Sequence, residues 1–376
     1  MRGYNVPYIE CRQCVLNSND DPFLILNDDG LCNHCVQYKE EERKMVFKGD
    51  VGKKKLEETI AMIKADGAGK EYDCVLGISG GVDSTYLALI AKQYGLRPIC
   101  VHCDNGWNSE LAVNNIQSIV SKLDLDLETY VINWDEFRDI QIAYFRAHVI
   151  DIEAITDIAF RSVLQNTANK FKVKYFLSGD NVVTESVLPK AWICKDVNNL
   201  VNIHKRFGTI KLKTYPIPNK LKLHLTAKVR PTLSLAILNY MHYNKEEVKK
   251  CIMKELGWKD YGGKHFESVF TRFYQAYILP QKFGVDKRRA HLSNLICSGQ
   301  MTREEALKEL EEPIYDPEMY NIDRDFFLKK IGMSDAEFDA YIATEPILHE
   351  EYGVGQTIYD QYKYLKILRP IINKLK

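Results

Sequence analysis

A short loop rich in glycine and serine holds the residues best suited to chemistry in this chain. Ser79-Gly80-Gly81-Val82-Asp83-Ser84 follows an apolar run typical of a buried strand and precedes a pattern typical of a helix. Glycine lets the backbone approach an anion closely, and a helix N-terminus offers unpaired N–H groups. No Lys-Ser/Thr pair follows the glycines, which excludes the P-loop of γ-phosphate transferases. The loop therefore predicts a phosphate site, with a Gly-rich turn that binds nothing as the alternative.

Four of the ten cysteines form two CxxC pairs near the N-terminus, Cys11 with Cys14 and Cys32 with Cys35. Two such pairs at this spacing are typical of a tetrahedral Zn²⁺ site. Four thiolates leave no position for water, so the zinc is expected to be structural. Four free thiols and an iron–sulfur cluster are the alternatives. We expect loss of the metal to unfold residues 1–40 and to leave the phosphate site largely intact.

The composition indicates an ordinary soluble globular protein. The chain has 376 residues, 45% of them hydrophobic, and its 51 basic residues balance 51 acidic ones. Zero net charge gives no global field that would attract nucleic acid. Apolar stretches stay shorter than the roughly 18 residues that span a bilayer, and the N-terminus lacks an apolar signal core. We therefore expect a cytoplasmic protein without a membrane or nucleic-acid partner, whose cysteines serve as ligands or buried thiols rather than disulfides.

Strands alternate with helices from residue 73 onward. Four short apolar runs predict strands at 74–78, 98–102, 128–132 and 175–178, and a long helical stretch covers about 135–170. This alternation predicts a doubly wound parallel α/β sheet, with ligands at the carboxyl ends of its strands. The predicted regions are a zinc knuckle at 1–40, the sheet domain with a basic insertion at 41–230, and a mainly helical region at 231–376.

The hexapeptide at 79–84 resembles the PP-loop of the N-type ATP pyrophosphatases, such as GMP, NAD and asparagine synthetases and tRNA-thiolating enzymes. The resemblance implies the adenine nucleotide alpha hydrolase-like fold and a loop that grips the pyrophosphate of ATP. A substrate oxygen then attacks the α-phosphorus to give an adenylate. Carried over by position, the ATP-binding residues are Ser79, Gly80, Gly81, Asp83, Ser84, Gly179 and Asp180. Asp83 would also hold Mg²⁺ or orient the loop, and Ser178-Gly179-Asp180-Asn181 resembles the second signature of the family.

The C-terminal part of the sequence narrows the resemblance. Its motifs are Gly257-Trp-Lys-Asp-Tyr-Gly-Gly-Lys-His265-Phe-Glu267, Asp286-Lys-Arg-Arg-Ala-His291-Leu-Ser293 and Ser298-Gly-Gln-Met-Thr-Arg-Glu-Glu-Ala306. With the four-cysteine segment they look like the N-acetyl sugar amidotransferases, the WbpG-like enzymes of bacterial O-antigen and flagellar glycan synthesis. The implied reaction turns a sugar acetamido group into an acetamidino group through an O-adenylyl imidate, from which ammonia displaces AMP. The motifs assign catalytic roles to Lys264, His265, Arg288 and His291, together with Asp83.

The ammonia source is expected to lie outside this chain, because no second α/β domain with an assignable Cys–His pair is visible. The resemblance implies a separate glutaminase subunit with a cyclase-like partner, and a nucleotide-activated N-acetyl sugar as substrate. The basic stretch 190–230 carries ten lysines and arginines against the single acid Asp196. It either faces an anionic substrate or forms a solvated or partner-binding surface.

Two other functions are compatible with these motifs. A tRNA sulfurtransferase also pairs a PP-loop with CxxC motifs, and Cys100 and Cys103 keep that alternative open. The neutral charge and the lack of a recognisable RNA-binding domain count against it, and buried thiols explain this second pair more simply. A non-catalytic zinc-ribbon scaffold is the other alternative, and the intact hexapeptide counts against it.

Overall fold

The computed structural model describes residues 1–218, 231–262 and 266–355. Five parallel strands form its central sheet, in the order β3-β2-β1-β4-β5. The strands are β1 (Cys74–Gly77), β2 (Pro98–Asp104), β3 (Asp126–Val131), β4 (Tyr175–Leu177) and β5 (Leu233–Leu235). The direction of winding reverses at β1, and ligands of such sheets bind at this point. The predicted doubly wound parallel sheet is confirmed.

Helices cover both faces of the sheet. They are α1 (Asn33–Met45), α2 (Gly49–Gly67), α3 (Val82–Gln93), α4 (Glu110–Leu123), α5 (Trp134–Ala147), α6 (Ala154–Phe171), α7 (Val182–Glu185), α8 (Val197–Phe207), α9 (Lys245–Leu256), α10 (Val269–Phe273), α11 (Lys287–Cys297), α12 (Arg303–Glu311), α13 (Pro317–Ile331) and α14 (Asp335–Ala343). Leu76 of β1 is buried with α2, α3, α4 and α9, whereas its neighbour Val75 is buried with α6. This alternation follows from the two-residue period of a strand and explains why β1 is apolar throughout.

The predicted long helix over 135–170 is wrong in one respect, because the structure divides it into α5 and α6. His148 ends α5 in the left-handed conformation with φ of 53°, and Asp151 follows with φ of 42°. Neither residue is glycine, and no proline marks the break, so the sequence pattern gave no stop signal. The break brings the start of α6 next to the end of β2, where Asn105 Nδ2 donates to Thr156 Oγ1 at 3.0 Å.

The region beyond residue 231 is mainly helical in its described part, as predicted. A π-helix (Tyr274–Phe283) continues α10 and packs with α5 and α13 in the largest core of the protein. The three predicted regions, including the boundary at 230, remain predictions. β5 lies beyond that boundary and pairs with β4, so the sheet extends past it.

Residues 204–215 of the basic stretch lie against α5. Two acids of that helix take the backbone N–H groups of the segment: Asp139 accepts from Thr209 and Ile210, and Glu136 from Thr214 and Tyr215. The basic side chains of this segment are exposed at Lys205, Arg206, Lys211 and Lys213. Lys220, Lys222, Lys228 and Arg230 lie outside the described residues. Across the helices that the structure describes, none is long and apolar enough to cross a membrane.

Candidate active site and metal centre

The glycine-rich loop connects β1 to the N-terminus of α3, as its motif predicted. Gly81 is the N-cap of α3, and Gly80 adopts φ of 79°, a conformation that favours glycine. A Cβ on Gly80 would lie 2.8 Å from the carbonyl oxygen of Ala112 in α4. The position therefore needs glycine for both its backbone conformation and its close contact with α4.

The two serine hydroxyls of the loop converge in front of this helix N-terminus. Ser79 Oγ and Ser84 Oγ lie 3.3 Å apart, and the Gly81 N–H donates to Ser79 Oγ at 3.2 Å. Thr85 Oγ1 donates to the Gly81 carbonyl at 2.6 Å and holds the loop on the helix. Backbone N–H groups, hydroxyls and a helix dipole thus meet at one place, which is the chemistry that binds phosphate oxygens.

Asp83 is held by two donors that sequence reasoning missed. The Tyr243 hydroxyl and Asn181 Nδ2 both donate to Asp83 Oδ1, the second at 3.3 Å. Burial, followed by the charge of Asp83, raises the pKa of Tyr243 well above its usual value. Tyr243 therefore keeps its proton and remains a donor. It lies 160 residues from Asp83 in the chain, outside every motif, so no local signal pointed to it.

The second predicted signature lies directly against the loop. β4 is the neighbour of β1, and a Cβ on Gly179 would lie 3.3 Å from the Cβ of Asp83. Asp180 is exposed, and its Oδ2 accepts from Ser178 Oγ at 2.6 Å. The structure thus brings Gly179 close to the residues predicted to bind ATP. The roles of these residues in ATP binding remain predictions.

Two described stretches of the C-terminal region, residues 258–262 and 266–268, lie next to the phosphate loop; we call them together the strap. Trp258 Nε1 donates to the Gly80 carbonyl at 2.8 Å, and Lys259 exchanges two backbone hydrogen bonds of 2.9 Å with the Asn115 side chain. Measured from an ideal Cβ on Gly81, the Tyr261 hydroxyl lies at 3.4 Å and Glu267 Oε1 at 3.8 Å. The described residues of the first C-terminal motif are therefore adjacent to the phosphate loop.

Two predicted catalytic residues, Lys264 and His265, lie outside the described residues. The strap residues on either side of them, Tyr261 and Glu267, border the loop. At the far end of the strap, Ser109 N donates to the Glu267 carbonyl at 2.9 Å, next to the start of α4. The catalytic roles of Lys264 and His265 thus remain predictions. Their neighbours in the sequence lie close to the phosphate loop, which is a reason to test these roles.

The predicted catalytic role of Arg288 gains no support from its surroundings. Its guanidinium binds the Asp286 carboxylate and donates to the carbonyls of Leu310 and Glu312 at 3.3 and 2.8 Å, at the end of α12. Arginine in this arrangement satisfies the unpaired carbonyls of a helix C-terminus. These contacts stabilise the end of α12, and the catalytic role of Arg288 remains a prediction. His291 lies half-buried on α11, and its predicted catalytic role remains untested.

Other ionisable groups gather between the start of α6 and α11, and sequence reasoning missed them. Glu153 accepts from Gln275 Nε2 at 2.9 Å and from Lys287 Nζ at 3.0 Å, and Lys195 pairs with Asp157 at 2.8 Å. Close by, burial raises the pKa of Asp151 to about 7, although its Oδ2 accepts from Cys194 N. Carboxylates, amides and ammonium groups of this kind are typical partners of sugar hydroxyls and phosphates.

The second cysteine pair is protected rather than reactive. Cys100 is fully buried in β2, and Cys103 is half-buried near the end of the same strand. Burial, with a smaller effect of neighbouring acids, raises the pKa of each thiol to about 12. Both therefore stay protonated at neutral pH, whereas a sulfur nucleophile must be a thiolate. This agrees with buried thiols and counts against a persulfide-forming role.

The four N-terminal cysteines form one cluster, as predicted. All four are buried, and their Sγ atoms lie within 4.8 Å of one another. Two pairs, Cys11–Cys35 and Cys14–Cys32, are both separated by 3.7 Å. Zn–S bonds of about 2.3 Å give a tetrahedron with edges of about 3.8 Å, so the spacing fits a zinc ion. The Cys14 and Cys32 N–H groups donate to Cys11 Sγ at 3.5 and 3.3 Å, as expected around a thiolate ligand.

Comparison with known proteins supports the resemblance that the motifs predicted. The parallel sheet and the loop after β1 agree with the resemblance to PP-loop proteins. Residues 267–368 match the family described as LPS biosynthesis protein WbpG-like, C-terminal domain. This match lies in the C-terminal part of the chain and agrees with the WbpG-like resemblance of the motifs there.

An uncharacterized protein of Methanocaldococcus jannaschii is 24% identical over 323 residues, which cover 83% of this chain and 96% of the relative. Among solved structures, NMN synthetase from Francisella tularensis is 15% identical with a TM-score of 0.36, covering 75% of this chain and 96% of its own. NH3-dependent NAD synthetase from Campylobacter jejuni is 15% identical with a TM-score of 0.31, covering 78% and 97%. The U34-tRNA thiolase NcsA from Methanococcus maripaludis is 14% identical with a TM-score of 0.33, covering 81% and 89%. Scores this low carry no argument about function.

Proposed function

We propose that this protein is an ATP-dependent ligase that converts an acetamido group of a nucleotide-activated sugar into an acetamidino group. The acetamido oxygen attacks the α-phosphorus of ATP, which releases pyrophosphate and leaves an O-adenylyl imidate. Ammonia then adds to the imidate carbon and AMP departs. An amide oxygen is a poor leaving group and AMP is a good one, so adenylylation allows ammonia to replace the acetamido oxygen. The product belongs to bacterial surface glycan synthesis, including O-antigen.

One observation carries this proposal: the strap, which leads into the WbpG-like region at residue 267, lies against the phosphate loop. Tyr261 and Glu267 border Gly81, and Trp258 binds Gly80. A substrate recognised by the C-terminal region would therefore meet ATP at the N-terminus of α3. This contact supports an adenylylation whose acceptor is chosen by the WbpG-like region.

The phosphate loop would stabilise the charge that develops during adenylylation. Ser79, Gly81 and Ser84 supply hydroxyl and backbone donors for the departing pyrophosphate, and the α3 dipole favours its negative charge. Asp83, oriented by Tyr243 and Asn181, would hold the Mg²⁺ that screens the phosphates. Preorganised donors of this kind lower the barrier because they need no rearrangement during the reaction.

The sugar would lie next to ATP, over the group formed by Glu153, Asp157, Lys195 and Lys287. These side chains come from the start of α6, the segment after α7, and α11, and the start of α6 lies beside the end of β2. Their mixed charges suit a ligand that carries both hydroxyls and phosphates. His291, on the same helix as Lys287, belongs to this region of the proposal.

Ammonia would come from a separate glutaminase subunit, acting with a cyclase-like partner. The purified chain is then expected to use ammonium salts and to be inert with glutamine. Glutamine-dependent turnover by a homogeneous sample would refute this part of the proposal.

The experiment for the proposed reaction uses purified protein with ATP, ammonium and diacetamido nucleotide sugars. We expect AMP and pyrophosphate in equal amounts, and a sugar product with one acetamido oxygen replaced by NH. An Asp83→Asn variant should lower the rate by about 100-fold or more, as removal of a transition-state contact does. Pyrophosphate release without any change in the sugar mass would contradict the proposal.

The sulfurtransferase alternative makes a different prediction for Cys103. A Cys103→Ser change should abolish sulfur transfer, because that chemistry needs a thiol near the adenylate, whereas it should leave amidination within about twofold of wild type. A scaffold without catalysis would release no pyrophosphate from ATP with any sugar tested.

A further inference from the structure

A fifth cysteine adjoins the metal centre. Cys297 Sγ lies 3.6 Å from Cys35 Sγ, and Gln13 Nε2 lies 4.0 Å from Cys297 Sγ. Cys297 is the last residue of α11, 262 positions from Cys35 in the chain. Its distance from Cys35 nearly equals the 3.7 Å between the paired cysteines of the cluster.

Several contacts fix this sulfur in place. Val15 N donates to Ser293 Oγ at 3.4 Å, and Arg289 Nη1 donates to the Val15 carbonyl at 2.8 Å. From the next helix, Arg303 Nε donates to the Cys14 carbonyl at 3.2 Å. α11 and α12 are thus bound to the loop that carries the first CxxC pair, at Val15 and at the carbonyl of Cys14. The approach of Cys297 to Cys35 follows from these contacts.

Zinc accepts four sulfur ligands in structural sites, so five sulfurs cannot bind at once. With Cys11, Cys14, Cys32 and Cys35 as thiolates, Cys297 is the thiol left over, and its Sγ lies 3.6 Å from Cys35 Sγ. An exchange is balanced: the bond from Cys35 to the metal breaks, a bond from Cys297 forms, and the Cys297 proton passes to Cys35. No oxidant or other reactant is needed.

We propose that Cys297 is a reserve ligand of the metal centre, placed to take over the position of Cys35. The centre is then shared between the N-terminal knuckle and α11, rather than belonging to the knuckle alone. α11 also holds the segment after α7, since Asn294 Oδ1 accepts from Val187 N at 2.8 Å. The metal therefore joins the N-terminal segment to the helix that supplies Lys287 and His291 to the proposed sugar site.

Cobalt titration of the full-length apoprotein under anaerobic, reducing conditions tests this proposal. Co²⁺ replaces zinc, and its sulfur-to-metal charge-transfer absorption reports the thiolate ligands. Cys35→Ser is expected to keep one Co²⁺ with strong charge-transfer absorption. Adding Cys297→Ser should weaken Co²⁺ binding about 10- to 100-fold. The matched control is Cys35→Ser with Cys251→Ser, since Cys251 is also half-buried but lies on α9 in another core; it should match Cys35→Ser.

Alkylation by N-ethylmaleimide decides the question even where the double variant fails to fold. In zinc-loaded wild type, Cys297 is an uncoordinated thiol and should be alkylated. In zinc-loaded Cys35→Ser it should be protected, with a rate at least about tenfold lower, because a bound thiolate reacts slowly. Peptide mass spectrometry measures both rates. Equal Cys297 alkylation in the two proteins, or a Cys35→Ser variant that binds no metal, would overturn the proposal.

Discussion

At the scale of single residues, the phosphate loop could be predicted almost completely and its supports could not. Glycine, serine and aspartate at fixed spacing after an apolar strand identify the loop because the chemistry of anion binding is local. Tyr243 and Asn181, which orient Asp83, come from other parts of the chain. Their types carry no signal by themselves, since tyrosine and asparagine are common throughout the sequence.

The Tyr243 contact leads to a prediction about catalysis. Tyr243→Phe removes the hydroxyl that donates to Asp83 and should lower kcat for pyrophosphate release about tenfold, as loss of a supporting hydrogen bond to a metal-binding carboxylate does. The Mg²⁺ concentration for half-maximal rate should rise with it. Tyr240→Phe, at the nearby Tyr240 of the same chain segment, is the control and should leave both values unchanged. Unchanged Mg²⁺ dependence in Tyr243→Phe would show that this hydroxyl does not support the metal site.

The motif and the contacts of Arg288 indicate different roles for this residue. The motif assigns it to catalysis, whereas its bonds to Asp286 and to carbonyls at the end of α12 assign it to stability. Arg288→Ala should lower the free energy of unfolding by about 1–3 kcal/mol, because those carbonyls lose their donor. Its kcat/KM should stay within about twofold of wild type. Urea unfolding and steady-state kinetics measure the two effects, and a large kinetic loss with unchanged stability would restore the catalytic role.

At the scale of elements, apolar runs identified β1, β2 and β4, because buried parallel strands are apolar on both faces. β3 was also predicted, although it is an edge strand with exposed residues. β5 was missed since its three residues are partly exposed and give no such run. The end of α5 was missed because His148 and Asp151 adopt the left-handed conformation that usually marks a helix end with glycine, and neither residue is glycine. Long-range contacts, such as that of Trp258 with Gly80, leave no periodic trace in a sequence.

The packing of His349 between two elements leads to a prediction about how stability depends on pH. Its ring is buried where the segment after α14 meets α8, and Nδ1 lies 2.7 Å from Asn199 Oδ1. Burial lowers the pKa of His349 to about 4. Since the unfolded chain takes up this proton near pH 6.5, stability should be complete above that pH and fall as the pH drops toward 4.

The free energy of unfolding should fall by about 2 kcal/mol between pH 7 and pH 5 because of His349. This follows from the difference between its pKa in the unfolded chain, 6.5, and in the folded protein, about 4. Urea unfolding of wild type and His349→Gln at both pH values measures it, because the variant lacks this proton. The His349→Gln curve should depend less on pH by that amount. An identical pH dependence in both proteins would rule out His349 as its cause.

At the scale of the whole molecule, the four-cysteine cluster is part of the largest hydrophobic core of the protein. Cys11, Cys14, Cys32 and Cys35 belong to the same core as α5, the π-helix and α13. The sequence predicted the cysteine ligands because their spacing is local, but the shared core depends on packing across the chain. The expectation that metal loss affects residues 1–40 alone therefore needs to be widened to α11.

Removal of the metal tests this wider view. After chelation, hydrogen–deuterium exchange should accelerate in residues 1–40 and in α11, because both lose a common anchor, and much less in the central strands β1 and β2. Re-addition of zinc should restore the protection. If exchange became faster only in residues 1–40, the metal would stabilise the N-terminal segment alone and not α11.

The path of one oxygen atom tests the central claim most directly. A nucleotide sugar labelled with oxygen-18 in its acetamido group is incubated with the protein, ATP and ammonium, and the AMP is analysed by mass spectrometry. If the acetamido oxygen attacks the α-phosphorus, the label leaves with AMP and the sugar gains an unlabelled NH group. AMP without the label, formed alongside a modified sugar, would contradict adenylylation of the acetamido group.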